Sequence, residues 1–434
     1  MTERRVIQVE SLARVEGSGA LHLTLEDGRI TDLRLEIYEP PRFFEGFLRG
    51  RGAAELADLV ARICGICPVA YQMCALQAVE SAFGVTLDPE VRALRRLYAC
   101  GEWLESHLLH LLFLAAPDYL GLDDAIGLAR IHPAELERGL RLRKLGHRLV
   151  ALLGGRATHP VGACIGGFSR LPRRRELREL AGELDAALPE AEALLRFLAA
   201  LPLPSRPRPM ELVSLRHPDE YPMNEGRIVS TEGLDLAPAE FDSAFVESQV
   251  AHSTALHCRR RDDGSSYLVG PLARVALNAE RLPPAAAAAL AALAPRLPAP
   301  DPPASLLARG IECLAALEEA RRIAGAVDPP PRPAAEWAPR AALAHAAVEA
   351  PRGLLAMRIE TDARGDLVAV RIVPPTSQNQ ARIEDDLREL LPDLLALSEE
   401  EARRACETAI RCYDPCISCS THFLRLTIER RGHA

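Results

Sequence analysis

Arg62-Ile-Cys-Gly-Ile-Cys67 and Asp414-Pro-Cys-Ile-Ser-Cys419 each hold two cysteines with two residues between them, the spacing at which neighbouring thiolates turn toward one metal centre. The pairs lie about 350 positions apart, whereas a zinc ribbon separates its pairs by roughly 15 to 20 residues. A site built from both pairs therefore forms only after the whole chain has folded. Four soft sulfur donors suit zinc, iron and nickel alike. Taken alone, the pairs leave a structural metal site and a catalytic one equally open.

The flanking residues narrow the choice. Arg62-Ile before the first pair, and Asp414-Pro before the second with His422 three residues beyond it, resemble the large subunit of the [NiFe] hydrogenases. Arg14-Val-Glu-Gly17, Phe44-Glu-Gly-Phe-Leu-Arg-Gly-Arg51 and Glu349-Ala-Pro-Arg-Gly353 are similar to three more signatures of that family, in its order. Five separated motifs make coincidence improbable.

The resemblance implies the chemistry. Heterolytic cleavage of hydrogen needs a Lewis acid, a base for the proton and a route for electrons, and thiolate sulfur shares electron density across two metals. By resemblance, Cys64 and Cys416 are terminal nickel ligands, Cys67 and Cys419 bridge nickel and iron, and the iron carries carbon monoxide and cyanide. Arg352 matches the arginine that the family suspends above the open metal position. There a guanidinium polarises hydrogen or, with a strongly depressed pKa, acts as a base. Glu16 matches the glutamate that relays a proton from a terminal thiolate, a role suited to a carboxylate whose pKa burial has raised. Asp414 matches a residue that pairs with the arginine. Glu45 and His422 match positions that bind a hard divalent ion, usually magnesium, although histidine is an uncommon ligand for it. Outside the motifs, each of these would read as an ordinary surface acid, arginine, turn residue or histidine.

Some positions depart from the family pattern. Many members have histidine where this chain has Tyr71 and Ser18, and aspartate where it has Ser106. Cys67-Pro-Val-Ala-Tyr-Gln-Met73, Glu225-Gly-Arg-Ile-Val-Ser230, His252-Ser-Thr-Ala-Leu-His257 and Tyr267-Leu-Val-Gly-Pro-Leu272 resemble the cytoplasmic, bidirectional NAD(P)-linked hydrogenases and sulfhydrogenases.

The formal charge of −8, with no basic tail, gives no electrostatic footprint for nucleic acid. No apolar run reaches the ~18 residues of a membrane span, and no charged start and apolar run marks a signal peptide. Exported members of the family carry their signal on the partner subunit. An odd count of 11 cysteines without disulfide-framework spacing favours a reducing, cytoplasmic setting. The seven outside the two pairs form no further Cys-x-x-Cys, and no second metal cluster is evident. Electrons are therefore expected to leave through iron–sulfur clusters in a small partner subunit. No nucleotide-binding glycine loop is present, which assigns flavin and NAD(P) to diaphorase partners. The family also implies nickel-insertion factors and a maturation protease that removes residues 423–434 after His422.

Periodicity supplies the fold class: mainly α with smaller β elements, a long-helix bundle with peripheral β-hairpins. Residues 1–52 read as a hairpin region, with Leu21, Leu23 and Leu25 alternating, a turn at Asp27-Gly28, and Glu16 just before the first strand. Residues 53–201 read as the bundle, with a helix from Pro68 to a stop at Gly84 and long helices over 89–116, 135–153 and 174–201. Residues 202–345 read as a peripheral α/β excursion with proline punctuation. Residues 346–422 read as a second hairpin turning at Ala363-Arg-Gly-Asp366, two helices and the second cysteine pair. The whole forms a single multi-element domain.

Three other readings remain at this point. A non-catalytic assembly subunit would keep the fold and dispense with the cysteines, all four of which are present. A zinc-stabilised scaffold would hold zinc without nickel, and a hydrogen sensor would bind both metals but turn over slowly.

Overall fold

The computed structural model describes residues 4–422; the C-terminal extension expected to be removed lies outside the described residues. Four helices make the bundle: Pro89–Leu109, Pro133–Gly154, Arg174–Ala200 and Ser305–Ala326. Pro89 occupies the first turn, where its missing N–H costs nothing, and the Asp88 side chain caps the Glu90 N–H at 3.0 Å. The first two helices cross closely because each brings a glycine to the contact. A Cβ on Gly146 would stand 2.8 Å from the Gly101 carbonyl oxygen, and one on Gly101 would stand 2.7 Å from Leu149 Cβ. The Pro89–Leu109 helix continues through a π-helical segment, His110–Ala115.

The Ser305–Ala326 helix corrects the expectation that residues 202–345 are wholly peripheral. It packs against both the Arg174–Ala200 and Pro89–Leu109 helices. It reads as a surface helix because it carries Arg309, Glu312, Glu318 and Glu319, but all four are buried and find partners inside the protein.

The N-terminal hairpin, Gly19–Glu26 against Arg29–Ile37, gains a third strand, Arg4–Val9. The second hairpin, Gly353–Thr361 against Leu367–Val373, likewise gains Ala342–Ala350, whose alanines give little β signal. In the proline-punctuated stretch, Glu211–Arg216 is one of two inner strands of a four-stranded mixed sheet. It is buried on both faces, so it lacks the alternation that marks a half-exposed strand. The Pro68–Phe83 helix packs between the bundle and the Ala342–Thr361 strands. Its N-terminus and the end of the Glu399–Cys412 helix bring the two cysteine loops together.

Candidate metal centre

Cys67 is the residue immediately before the Pro68–Phe83 helix, so the first pair lies at a helix N-terminus. That terminus is held by Glu102, whose carboxylate accepts the Val69 N–H and, at 3.0 Å, the Ala70 N–H. Burial pushes the Glu102 carboxyl well up, against the pull of those two hydrogen bonds.

The second pair follows a backbone reversal. Asp414 takes φ 54°, a left-handed conformation uncommon for a residue with a side chain. Beyond it, Cys416 forms a parallel bridge with Glu16, and the Ile417 N–H donates to the Glu16 carbonyl at 2.9 Å. Only glycine fits beside Glu16. Gly17 has φ +91°, and a Cβ there would stand 2.6 Å from Ile417 Cβ. The Arg-Val-Glu-Gly signature thus docks the chain's beginning onto the second cysteine loop.

The four sulfurs of Cys64, Cys67, Cys416 and Cys419 lie within 4.8 Å of one another, all buried. Cys64 and Cys416 are 3.4 Å apart, Cys67 and Cys419 3.5 Å, and Cys416 and Cys419 2.8 Å. Hydrogen bonds from Cys416, Cys419 and Cys67 pull the Cys64 thiol well down, and burial pushes Cys416 and Cys419 up. One sulfur can take the negative charge, but four buried thiolates need cations among them. A compact set of soft donors that ionises only in company with positive charge fits thiophilic metal ions.

Arg352 and Asp414 form a buried ion pair beside the sulfurs, each 2% exposed. The guanidinium donates through Nε to the Asp414 carbonyl at 2.8 Å and through Nη2 to Oδ1 at 3.2 Å. Its Nη1 is buried with no partner among the described residues. Burial opposes the charge on Arg352, but Asp414, Cys416, Cys67 and Cys64 outweigh it and hold the pKa well above the ordinary arginine value.

Arg352 rests on a layer that sequence reasoning missed. Arg274 is completely buried and donates to the carbonyls of Ala350 at 2.8 Å and Pro351 at 2.9 Å, the residues just before Arg352. Its remaining donors reach Glu312 at 2.7 Å and Glu349 at 2.8 Å, and His107 meets Glu312 at 2.9 Å. Burial works against the Glu312 carboxylate, but Arg274 and His107 overcome it and hold its pKa at about 2. The available signal was the position of Arg274, two residues after the Tyr267–Leu272 motif.

Glu16 Oε2 accepts from Cys416 Sγ at 3.1 Å and from the Ser418 N–H at 3.0 Å. It is half-buried, less enclosed than the relay expectation assumed. Ser418 also donates its hydroxyl to Glu39 Oε1 at 2.8 Å, and the Ser18 N–H donates to Glu39 Oε2 at 3.1 Å. Glu39 was missed because it follows the hairpin with no motif around it.

His422 is buried, with Nε2 2.8 Å from the Ile372 carbonyl oxygen and 3.8 Å from Glu45 Oε1. Glu45 Oε1 also accepts the Ile372 N–H at 2.8 Å. The two expected residues thus converge on the Ile372 main chain, His422 at its carbonyl and Glu45 at its N–H, groups that no side-chain pattern reveals. Tyr71 is buried, with its hydroxyl unpartnered among the described residues. Burial first, then the charges of Cys419 and Cys67, push its pKa well up.

The nickel-dependent hydrogenase family matches residues 42–138. Sulfhydrogenase 1 subunit alpha of Pyrococcus furiosus is 31% identical over 97% of this chain and 98% of its own. Sulfhydrogenase 2 subunit alpha of the same organism is 32% identical over 97% and 100%. The solved structure of a NAD+-reducing [NiFe]-hydrogenase in the H2-reduced state superimposes with a TM-score of 0.85 at 27% identity, covering 96% of this chain and 99% of that one.

Proposed function

The chain belongs to the nickel-dependent hydrogenases as their large, catalytic subunit, and from that premise we propose how its residues divide the work of splitting hydrogen. The observation that carries the proposal is the meeting of four sulfurs from opposite ends of the chain within 4.8 Å, flanked by a buried guanidinium and a carboxylate. Cys64, Cys67, Cys416 and Cys419 would together hold a nickel–iron pair through their four sulfurs. Bound there, the pair would supply Lewis acidity toward hydrogen and accept its electrons, and the family's iron would bring carbon monoxide and cyanide with it.

Arg352 is the fixed positive group beside the reacting position. Asp414 holds two arms of its fork, and Arg274 fixes the backbone from which it extends. Its buried ion pair with Asp414 favours the charged form, which suits it to polarising. Glu16 receives the proton at Oε2 from Cys416 Sγ, to which it is already hydrogen-bonded. Glu45, His422 and the Ile372 carbonyl would hold a divalent ion such as magnesium, whose preference for oxygen is met by two of the three.

Electrons pass to a small iron–sulfur subunit and then to a diaphorase carrying flavin and NAD(P), in the cytoplasm. The subunit designations of the two sulfhydrogenases and the NAD+-reducing solved structure support a multi-subunit, NAD-linked arrangement. No helix among the described residues is long and apolar enough to cross a membrane.

Infrared spectra of the complex purified from its native host test the metal assignment. Stretches of iron-bound carbon monoxide and cyanide are expected; a fully folded, metal-loaded complex without them would return the cysteines to some other metal.

The relay has its own expected result. Glu16→Gln keeps an acceptor for the Ser418 N–H but cannot carry a proton, so hydrogen oxidation and hydrogen–deuterium exchange should both fall by about 10²- to 10⁴-fold. Nickel content should stay at the wild-type level. Full exchange activity in that variant would remove Glu16 from the proton route.

A further inference from the structure

Away from the sulfur centre, His252, His257 and Glu384 each bring one ligand atom to within 4.8 Å of the others. His257 lies in the Leu256–Arg260 strand, His252 in the loop before it, and Glu384 on the Pro375–Glu389 helix. Glu384 is fixed in place: its Oε1 accepts the Leu35 N–H at 3.1 Å and lies 2.8 Å from His252 Nε2. The two imidazoles stand edge to face, with ring centroids 5.8 Å apart.

His257 is only 1% exposed, yet its Nε2 has no hydrogen-bond partner among the described residues. Leaving a buried ring nitrogen unmatched is costly and rare. Here it sits beside a second imidazole and an anchored carboxylate.

We infer that His252, His257 and Glu384 form a second metal site, for a divalent ion of the zinc type, separate from the hydrogen centre. Two imidazoles and one carboxylate are a common zinc donor set, with water as the fourth ligand. The absence of sulfur among the three excludes an iron–sulfur cluster. His252 is half-buried, which gives the ion a way in. Arg388 Nη2 lies 3.8 Å from Glu384 Oε2, so it engages the oxygen other than the one beside His252.

The ion would join three segments behind the second cysteine loop. Thr254, two residues after His252, already donates its N–H to the Ile37 carbonyl at 2.7 Å and its hydroxyl to that of Glu39 at 2.8 Å. Leu35 ties Glu384 to the N-terminal sheet. The Pro375–Glu389 helix carries Thr376, whose hydroxyl oxygen accepts the Cys416 N–H at 3.1 Å. The site is therefore a structural fastening, and hydrogen turnover does not require its side chains.

The test uses the intact complex. After dialysis against zinc ions, the wild type should retain one more zinc per catalytic chain than His257→Phe or Glu384→Gln. Diffraction at the zinc edge should place an anomalous peak between the three side chains. Unchanged hydrogen oxidation by His257→Phe would show that the variant is folded. If that variant fails to assemble, His252→Asn, at a partly exposed position, gives the same comparison. Equal zinc in wild type and variants, or no peak between the three side chains, would leave only a His252–Glu384 ion pair and overturn the proposal.

Discussion

Cys419→Ser is expected to abolish measurable hydrogen turnover and to strip nickel from the complex, while the chain remains folded. Cys419 Sγ lies 2.8 Å from Cys416 and 3.5 Å from Cys67, so it sits among the other sulfurs and not at their edge. Serine keeps the volume within an atom's difference but replaces a polarisable thiolate with a hard hydroxyl that stays protonated. Losing one outer partner of a metal site costs about 10- to 100-fold in affinity or activity, and losing a ligand should cost more. The matched control is Cys74→Ser. Cys74 is also completely buried, but its thiol packs against the Ala346 and Leu355 carbonyls at 3.7 and 3.6 Å, away from the metal ligands. Nickel and iron analysis of both variants, beside their thermal unfolding, separates ligand loss from core damage. Nickel retained in Cys419→Ser at the wild-type level would refute the four-sulfur assignment.

The control also shows what the sequence conveyed. Cys74 and Cys419 are both buried free cysteines, and only the Cys-x-x-Cys spacing and its neighbours set them apart. Local spacing carried the helices equally well, because Pro68, Gly84 and Pro89 mark their ends through backbone restrictions that act within a few residues. The N-terminal hairpin was legible for the same reason: its register follows from alternation around Asp27-Gly28.

What was not legible depends on contacts between distant segments. The central position of the Ser305–Ala326 helix was hidden by charges such as Arg309 and Glu312. Those charges are tolerated in the core only because Arg274, His107 and their carbonyl partners arrive from elsewhere. Glu211–Arg216 lost its alternation through burial on both faces. Arg274 braces Arg352 through the Ala350 and Pro351 carbonyls, and Glu39 acts through a backbone N–H and a serine hydroxyl, none of which leaves a pattern of residue types. The Ile372 carbonyl beside His422 and Glu45 is the limiting case, since any residue there supplies the same oxygen. The side chains around the four sulfurs, Asp414 beside Arg352 among them, stood in motifs, and the backbone groups that brace them did not.

Arg352→Lys is the second large expected effect, and it isolates the shape of the cation from its charge. Alanine would be the blunter choice. It would leave Asp414 as an unpaired buried carboxylate, a loss of about 3–5 kcal/mol, on a residue whose φ of 54° already strains the loop leading to Cys416. Lysine keeps the positive charge and can still reach Asp414, so the pair and the metal should survive. What lysine lacks is the planar fork: with Nε and Nη2 committed to Asp414, arginine still presents Nη1 as a third, rigidly placed donor. If that donor faces charge developing during hydrogen cleavage, its loss should lower kcat by about 10²- to 10³-fold, with KM for hydrogen changing far less. The pH profile gives an independent check. Arg352 is held above the ordinary arginine pKa, so it stays charged throughout the neutral range, and the wild-type rate should show no step from its ionisation. Wild-type kcat in a nickel-loaded Arg352→Lys enzyme would show that any positive charge suffices, and loss of nickel would make Arg352 a structural clamp on the second cysteine loop instead of a participant in the reaction.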